Sequence, residues 1–258
     1  MDREGHPSYN AQGDSKGSLS GGATLAQDDI QVRLEQVRER IARAAQRAGR
    51  NPGEIAILGA SKQVPAERIL RAIELGVTHI GENRVQEAEA KFEALAALRL
   101  AATWHMIGPL QSNKARQAVE LFDVVHALDS LKLARRLNTV AEDLRRTLPV
   151  YVEVNLAQEA TKSGVHPDML LELAEGIAQC ESLRLEGLMA VPPDLEPQEV
   201  RPYFRKLCEL RDTLQQRRLF RCERPVLSMG MTHDYEVAVE EGSTMVRLGT
   251  AIWGPRPA

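Results

Sequence analysis

Eight short apolar or β-branched runs alternate with helical stretches along this chain, and that alternation constrains the fold more than any other feature. The runs lie near Ile55 to Ala60, Thr78 to Gly81, Thr103 to Ile107, Val124 to Ala127, Val150 to Asn155, Leu185 to Met189, Val226 to Met229 and Met245 to Leu248. Between them the apolar period lengthens to three or four residues near Ala66 to Leu75, Arg84 to Leu98, Ser112 to Glu120, Ser130 to Arg146, Pro167 to Gln179, Gln198 to Arg218 and Asp234 to Glu241. Parallel strands joined by crossover helices form an open sheet or a closed barrel, and eight such units in one domain predict an α/β fold of the (β/α)8 TIM-barrel kind. The chain ends at Ala258, too soon after the last run for an eighth helix. An amphipathic stretch precedes the first run, with Ile30, Leu34, Val37, Ile41 and Ala44 on one face and Gly49 and Pro52 as its stop, and it is expected to fill the gap in the helical ring. A doubly wound open sheet is the competing topology, but the turn after the first strand reads Ala60, Ser61, Lys62, Gln63 rather than a glycine-rich fingerprint.

Residues 1–27 interleave glycines and serines without an apolar period and read as a flexible extension, which leaves 28–258 for the barrel. Lys+Arg 33 against Asp+Glu 36 gives a net charge of −3, with no field to draw in nucleic acid or an anionic membrane. Cys180, Cys208 and Cys222 fit neither a disulfide framework nor a zinc knuckle. With no apolar signal core and no membrane-spanning run, a cytoplasmic protein is expected. The helices show no apolar seam beyond what a barrel needs, which favours a monomer.

Chemistry in such barrels collects at the C-terminal ends of the strands. Lys62 ends the first strand in a chain with seven lysines and twenty-six arginines, and a partly desolvated lysine there can form a Schiff base with an aldehyde; a salt-bridged rim lysine is the plainer reading. Ser228, Met229 and Gly230 follow strand seven, and Gly249 and Thr250 follow strand eight, where barrels hold phosphate on backbone N–H groups and small hydroxyls; tight turns alone would also account for the glycines. Arg247 has the parity of the barrel interior and needs a partner there, either a ligand ring nitrogen or an internal carboxylate such as Glu153. His105 is a general base, a stacking partner or a satisfied core histidine. Asp123, His126 and Asp129 match no metal-ligand spacing, so no metal site is expected. P-loop, zincin and serine-hydrolase motifs are absent from the sequence.

A lysine after strand one, a phosphate cradle after strands seven and eight and an arginine for a ring nitrogen together describe a pyridoxal 5'-phosphate (PLP) site. The stretches that carry the chemistry, Ala60 to Lys62, Gly81 to Glu87, Trp104 to Lys114, Glu186 to Met189, Ser228 to Met231 and Arg247 to Gly254, closely resemble the pyridoxal phosphate homeostasis protein family, single-barrel relatives of the alanine racemase N-terminal domain. The resemblance runs from about Ile30 to Arg256, and the Trp104 to Lys114 run is its most specific part. It departs from the family at Thr232, Val191 and Trp253, where serine, methionine and phenylalanine are frequent. It implies Lys62 as the Schiff-base lysine, Asn83 and His105 near the cofactor face, Ser228, Met229, Gly249 and Thr250 at the phosphate, and Arg247 at the pyridine nitrogen.

It also implies a cofactor binder that keeps free PLP low and available to PLP-dependent apo-enzymes, without catalytic turnover. A racemase needs acid–base groups on both faces of a carbanion, and among Tyr9, Tyr151, Tyr203 and Tyr235 only Tyr235 has a place from which to supply the second. The enzyme alternatives are a weak PLP-dependent amino-acid racemase and a Schiff-base aldolase acting on sugar phosphates; an interaction scaffold is the non-catalytic one. Lys162, in the loop after strand five, reads as an exposed loop lysine or as a transient cofactor acceptor.

Overall fold

A computed structural model describes residues 21–157 and 163–255, with side chains from Asp29 onward. The elements run α1 (Gly21–Arg47), β1 (Ala56–Ala60), α2 (Ala66–Glu74), β2 (His79–Glu82), α3 (Val85–Ala94), α4 (Leu98–Ala101), β3 (Thr103–Met106), α5 (Ala115–Leu121), β4 (Val124–Leu128), α6 (Leu131–Asp143), β5 (Leu148–Glu153), α7 (Leu170–Ala178), β6 (Leu183–Met189), α8 (Arg201–Gln216), β7 (Val226–Ser228), α9 (Tyr235–Glu240), β8 (Met245–Leu248) and α10 (Thr250–Trp253). All neighbouring strands are parallel and the sheet closes, with β1 paired to β8 through Ala56 on Met245, Leu58 on Arg247 and Gly59 on Leu248. Closure rules out the open-sheet topology.

The amphipathic helix before β1 takes the place expected of it. Ile30, Leu34, Val37, Ile41 and Ala44 are buried, and α1 is tied to its neighbours by Arg40 Nε on Glu236 at 2.8 Å, Arg47 Nε on Glu240 at 2.7 Å and Arg38 Nη2 on the Leu75 carbonyl at 2.6 Å. It therefore fills the gap between α9 and α2. It begins at Gly21, seven residues before the expected boundary at Asp28: the glycines that argued for a flexible extension end at Gly22, and Ala23, Leu25, Ala26 and Gln27 are good helix formers. The rest of the expected extension, residues 1–20, lies outside the described residues.

The helix expected over Arg84 to Leu98 is split. Leu95 adopts φ −149° and ends α3, and Leu98 starts α4, where its carbonyl accepts the indole N–H of Trp104 at 2.9 Å. Burying that indole requires a partner for its N–H, and tertiary packing here overrides an alanine-rich helical sequence. The expected strand ending at Asn155 stops at Glu153; Val154 forms an isolated bridge to Val165 and donates its N–H to the Met189 carbonyl at 2.8 Å.

The core has two shells. A large one packs the helices on the outside of the sheet, and a small one fills the barrel with Leu58, Val124, Tyr151, Met189 and Met245. Above the inner shell the inward positions turn polar, with His105, His126, Ser228 and Arg247 all buried. Glycines set the spacing between strand ends at the top. A Cβ on Gly108 would lie 2.5 Å from the Asn83 carbonyl oxygen and 2.8 Å from its Cα, so the loops after β2 and β3 touch backbone to backbone. Backbone cannot yield as a side-chain tip can. Gly108→Ala is therefore expected to cost about 1–3 kcal/mol and to move the Asn83 loop, measurable as a lower midpoint in denaturant with an unchanged slope.

Candidate functional site

The turn that follows β1 is held from behind. Ser61 is fully buried while Lys62 is exposed at the C-terminal end of the barrel, and Gln63 takes a left-handed φ of 61°. A strained non-glycine residue persists only where its surroundings hold it. Here they do: Lys91 of α3 donates to the Ser61 carbonyl at 2.6 Å and to Glu87 at 3.3 Å, and the same Glu87 oxygen accepts the Gln63 N–H. The two peptide groups on either side of Lys62 are thus fixed by one ion pair, whose lysine is buried and whose glutamate is partly so. Lys91 and the Ser61 hydroxyl also hydrogen-bond the Glu82 carboxylate at the end of β2. Burial pushes the Glu82 carboxyl up, against the opposing pull of Lys91 and Ser61.

At the other end of the chain, α10 leans over the end of β1. The Trp253 indole N–H donates to the Ala60 carbonyl at 2.8 Å, its ring covers Gly59, and its own carbonyl accepts from Arg68 at 2.9 Å. The phenylalanine frequent at this place in the family has no N–H for Ala60. Thr232, in place of serine, still accepts the Ala251 N–H at 3.3 Å. Asp234 caps the loop after β7 by accepting the Met231 N–H at 2.6 Å, and Gly230, at φ +95°, passes its carbonyl to the Arg247 N–H. Between these supports Gly249 is half-buried, and an added Cβ would find nothing nearer than the Ala60 carbonyl oxygen at 3.8 Å. A backbone that can be approached closely, beside an exposed Thr250, makes a small open cradle.

Beneath it lies Arg247, 5% exposed. Its Nη1 donates to the Ser228 carbonyl at 2.5 Å and to Ser228 Oγ at 2.9 Å, and its Nη2 donates to the Ala190 carbonyl at 3.0 Å. Burial lowers its pKa to about 10, opposed by the negative charges of Glu153 and Asp234, so it stays a cation at neutral pH. Glu153 is pushed up to about 7 by burial, with Arg247 pulling it down and Asp129 pushing it further up.

The expected site residues therefore separate by depth. Lys62, Asn83 and Thr250 are exposed at the C-terminal strand ends, with Gly249 half-buried beside them and Arg247 below. Ser228 turns its hydroxyl inward to Arg247, and Met229 belongs to the outer core. His105 is the satisfied core histidine, 3.0 Å from His79 Nδ1 on one side and 2.8 Å from His126 Nε2 on the other. His126, considered in the sequence only as a metal ligand, lies 3.2 Å from Ser228 Oγ. Among the described residues no three His, Cys, Asp or Glu side chains converge as metal ligands. The signal for this histidine series was parity, since His79, His105 and His126 take inward positions on three consecutive strands. Tyr235 is buried under the Arg40 guanidinium of α1, 5.3 Å from ring centre, so it faces the helical layer and brings no acid–base group to the mouth. Lys162 lies outside the described residues.

These groups fit the cofactor that the sequence implies. An amine, a donor-rich cation and an open glycine cradle occur together at one end of the barrel, and a cofactor with an aldehyde, a ring nitrogen and a phosphate has one use for each.

The chain matches the model for the alanine racemase N-terminal domain over residues 32–257. It is 47% identical over 225 residues to the pyridoxal phosphate homeostasis protein of Aquifex aeolicus (strain VF5), which covers 87% of this chain and 97% of that relative. Against the Escherichia coli (strain K12) protein of the same description it is 42% identical over 234 residues, 89% of this chain and 97% of the relative. Among solved structures, PipY of Synechococcus elongatus PCC7942 with PLP bound superposes with a TM-score of 0.75 at 36% identity, covering 87% of this chain and 100% of that one. An alanine racemase of Clostridium difficile 630, at 14% identity and TM-score 0.69, shares the fold over 90% of this chain and 57% of its own. No helix of the described residues is long and apolar enough to cross a membrane. With its closed barrel and this degree of identity, the chain belongs to the alanine racemase N-terminal domain family and, within it, to the pyridoxal phosphate homeostasis proteins.

Proposed function

We propose that this protein binds pyridoxal 5'-phosphate at the mouth of its barrel, covalently through Lys62, and holds it for delivery to PLP-dependent apo-enzymes. The observation that carries this reading is the meeting of Lys62, Gly249 with Thr250, and Arg247 at one end of a barrel whose relative PipY is described with PLP bound. The cofactor supplies an aldehyde, a pyridine ring and a phosphate dianion. The Lys62 amine condenses with that aldehyde to a Schiff base, one C=N bond replacing C=O with release of one water. Gly249 and Thr250 receive the phosphate through backbone N–H and hydroxyl groups, and Asn83 closes the side toward β2. Ser228, which turns inward to Arg247, shapes the floor, and Met229 supports it from the outer core.

Holding rather than turnover follows from two features of the same residues. Arg247 is a permanent donor, so a ring nitrogen set against it stays unprotonated and the ring is a weak electron sink. Tyr235 faces α1 and Tyr151 is buried in the inner core, so neither stands as a second acid–base group at the mouth.

Addition of PLP is expected to give a yellow protein whose borohydride-reduced adduct maps to Lys62, and Lys62→Ala to give no adduct at the barrel mouth; an adduct scattered over exposed lysines would overturn the reading. Gly249→Ala is expected to weaken PLP retention about tenfold or more, equivalent to about 1.4 kcal/mol, with an unchanged melting temperature, because the added methyl fills the cradle without meeting protein. Glu153 generates a pH dependence. Its carboxyl, at about 7, gains a negative charge beside an anionic cofactor as pH rises. Retention should therefore weaken between about pH 6 and about pH 8, and the component that disappears in Glu153→Gln, read from paired PLP titrations, is its contribution.

A further inference from the structure

We infer that His126, backed by His105 and His79, is a positioning residue for Arg247: the three imidazoles and the Ser228 hydroxyl form a hydrogen-bond chain whose direction Arg247 itself fixes. The chain crosses the barrel from the mouth toward its N-terminal end. Ser228 Oγ lies 2.9 Å from Arg247 Nη1 and 3.2 Å from His126 Nδ1; His126 Nε2 lies 2.8 Å from His105 Nδ1; His105 Nε2 lies 3.0 Å from His79 Nδ1. Ser228, His105 and His126 are fully buried, and His79 is partly exposed.

Proton counting sets the direction. A guanidinium only donates, so Ser228 accepts from Arg247. The hydroxyl has one proton of its own, and of its two partners only His126 Nδ1 can receive it. The opposite choice, with His126 donating to Ser228, would leave a buried hydroxyl proton without an acceptor, at a cost of about 1–3 kcal/mol. Once His126 Nδ1 is an acceptor, its proton resides on Nε2 and is donated to His105 Nδ1. His105 then carries its proton on Nε2 and donates to His79 Nδ1, and His79 points its Nε2–H toward the more exposed end. Each contact between two ring nitrogens needs one proton and no more, which holds when the rings are neutral. Burial supports that, holding His105 and His126 well below the ordinary histidine range.

All donors in the chain point away from Arg247, so its acceptor ends face the buried cation. With no carboxylate within ion-pair distance among the described residues, this orientation adds to the Ser228 and Ala190 carbonyls and the more distant charges of Glu153 and Asp234 in compensating the guanidinium. Three N–H groups are fixed on Ser228 and Ala190, which sets the aim of the guanidinium and leaves Nε and the second Nη2 hydrogen outside these bonds. The importance of that aim for a cofactor ring rests on the proposed function, whereas the chain and its direction do not.

The test uses the full-length, ligand-free protein with 15N-labelled histidine and arginine. Ring nitrogen spectra should show His79, His105 and His126 as Nε2-protonated tautomers with bare Nδ1; a proton on Nδ1 of His105 or His126 would overturn the assigned direction. His126→Leu removes the acceptor for Ser228 and should shift and broaden the Arg247 guanidinium resonances and speed their exchange with water. His126→Asn, which returns an acceptor near the position of Nδ1, should restore them. Arg247 resonances unchanged in the folded leucine variant, or lost equally in both variants, would refute the positioning role. Because no PLP is added, a failure of cofactor binding leaves this result standing, and the reverse also holds.

Discussion

The pairing of β1 with β8 makes one site from the two ends of the chain. Leu58 lies beside Arg247 and Gly59 beside Leu248, so the residues that follow, Ser61 and Lys62 on one strand and Gly249 and Thr250 on the other, emerge side by side. Nothing in their separation along the sequence would bring them together. Barrel closure does, and the Trp253 hydrogen bond to the Ala60 carbonyl repeats the connection one layer higher. The α1 helix secures the same seam from outside, packed against α9, α10 and α2. Its ion pairs to Glu236 and Glu240 are exposed and individually weak, so the buried face from Ile30 to Ala44 carries most of the docking energy.

The mouth is built over buried polar groups held in two hydrogen-bond networks. Lys91 stands on the outer side of the strands and fixes the peptides around Lys62, while the histidine series stands inside and serves Arg247. One network acts on the chain's amine and the other on its cation, with the sheet between them. A buried ion such as Lys91 or Arg247 costs several kcal/mol to desolvate and is tolerated only where hydrogen bonds repay it. The result is rigidity under a solvent-facing lysine: the turn that carries Lys62 is fixed at both peptides although its side chain is free to meet a ligand.

The architecture was legible in the sequence because period and length act locally. The eight runs, the crossover helices and the amphipathic helix before β1 all follow from apolar spacing. What failed did so where a distant partner decides, as at Leu95, whose backbone turns out of the helix beside the carbonyl that takes the Trp104 indole. Of the candidate site residues at the mouth, Lys62, Gly249 and Thr250 stood out in the sequence as unusual residues at strand ends, and Asn83 entered through the family resemblance. Ser228 and His105 were named, but their depth was not legible, since a strand-end position does not say whether a small hydroxyl turns toward ligand or toward a buried arginine. The link between His79, His105 and His126 needed the register of three strands at once. Lys91 was not found at all: on a helix an isolated lysine reads as solvent-facing, and only the burial of Glu82 and Ser61 makes it otherwise.

Under the proposed function, depth also divides the labour. An exposed Lys62 leaves water with access to the bond that would join it to the cofactor, so attachment and release are both open to solvent. A site built for turnover places its lysine where water is excluded and arranges a second proton-transfer group opposite. Here the depth is given to Arg247, whose surroundings hold it as a donor, and the surface is given to the amine. That arrangement binds a ring firmly from below while leaving its covalent anchor within reach, which suits a protein that must hold a reactive aldehyde and also give it up.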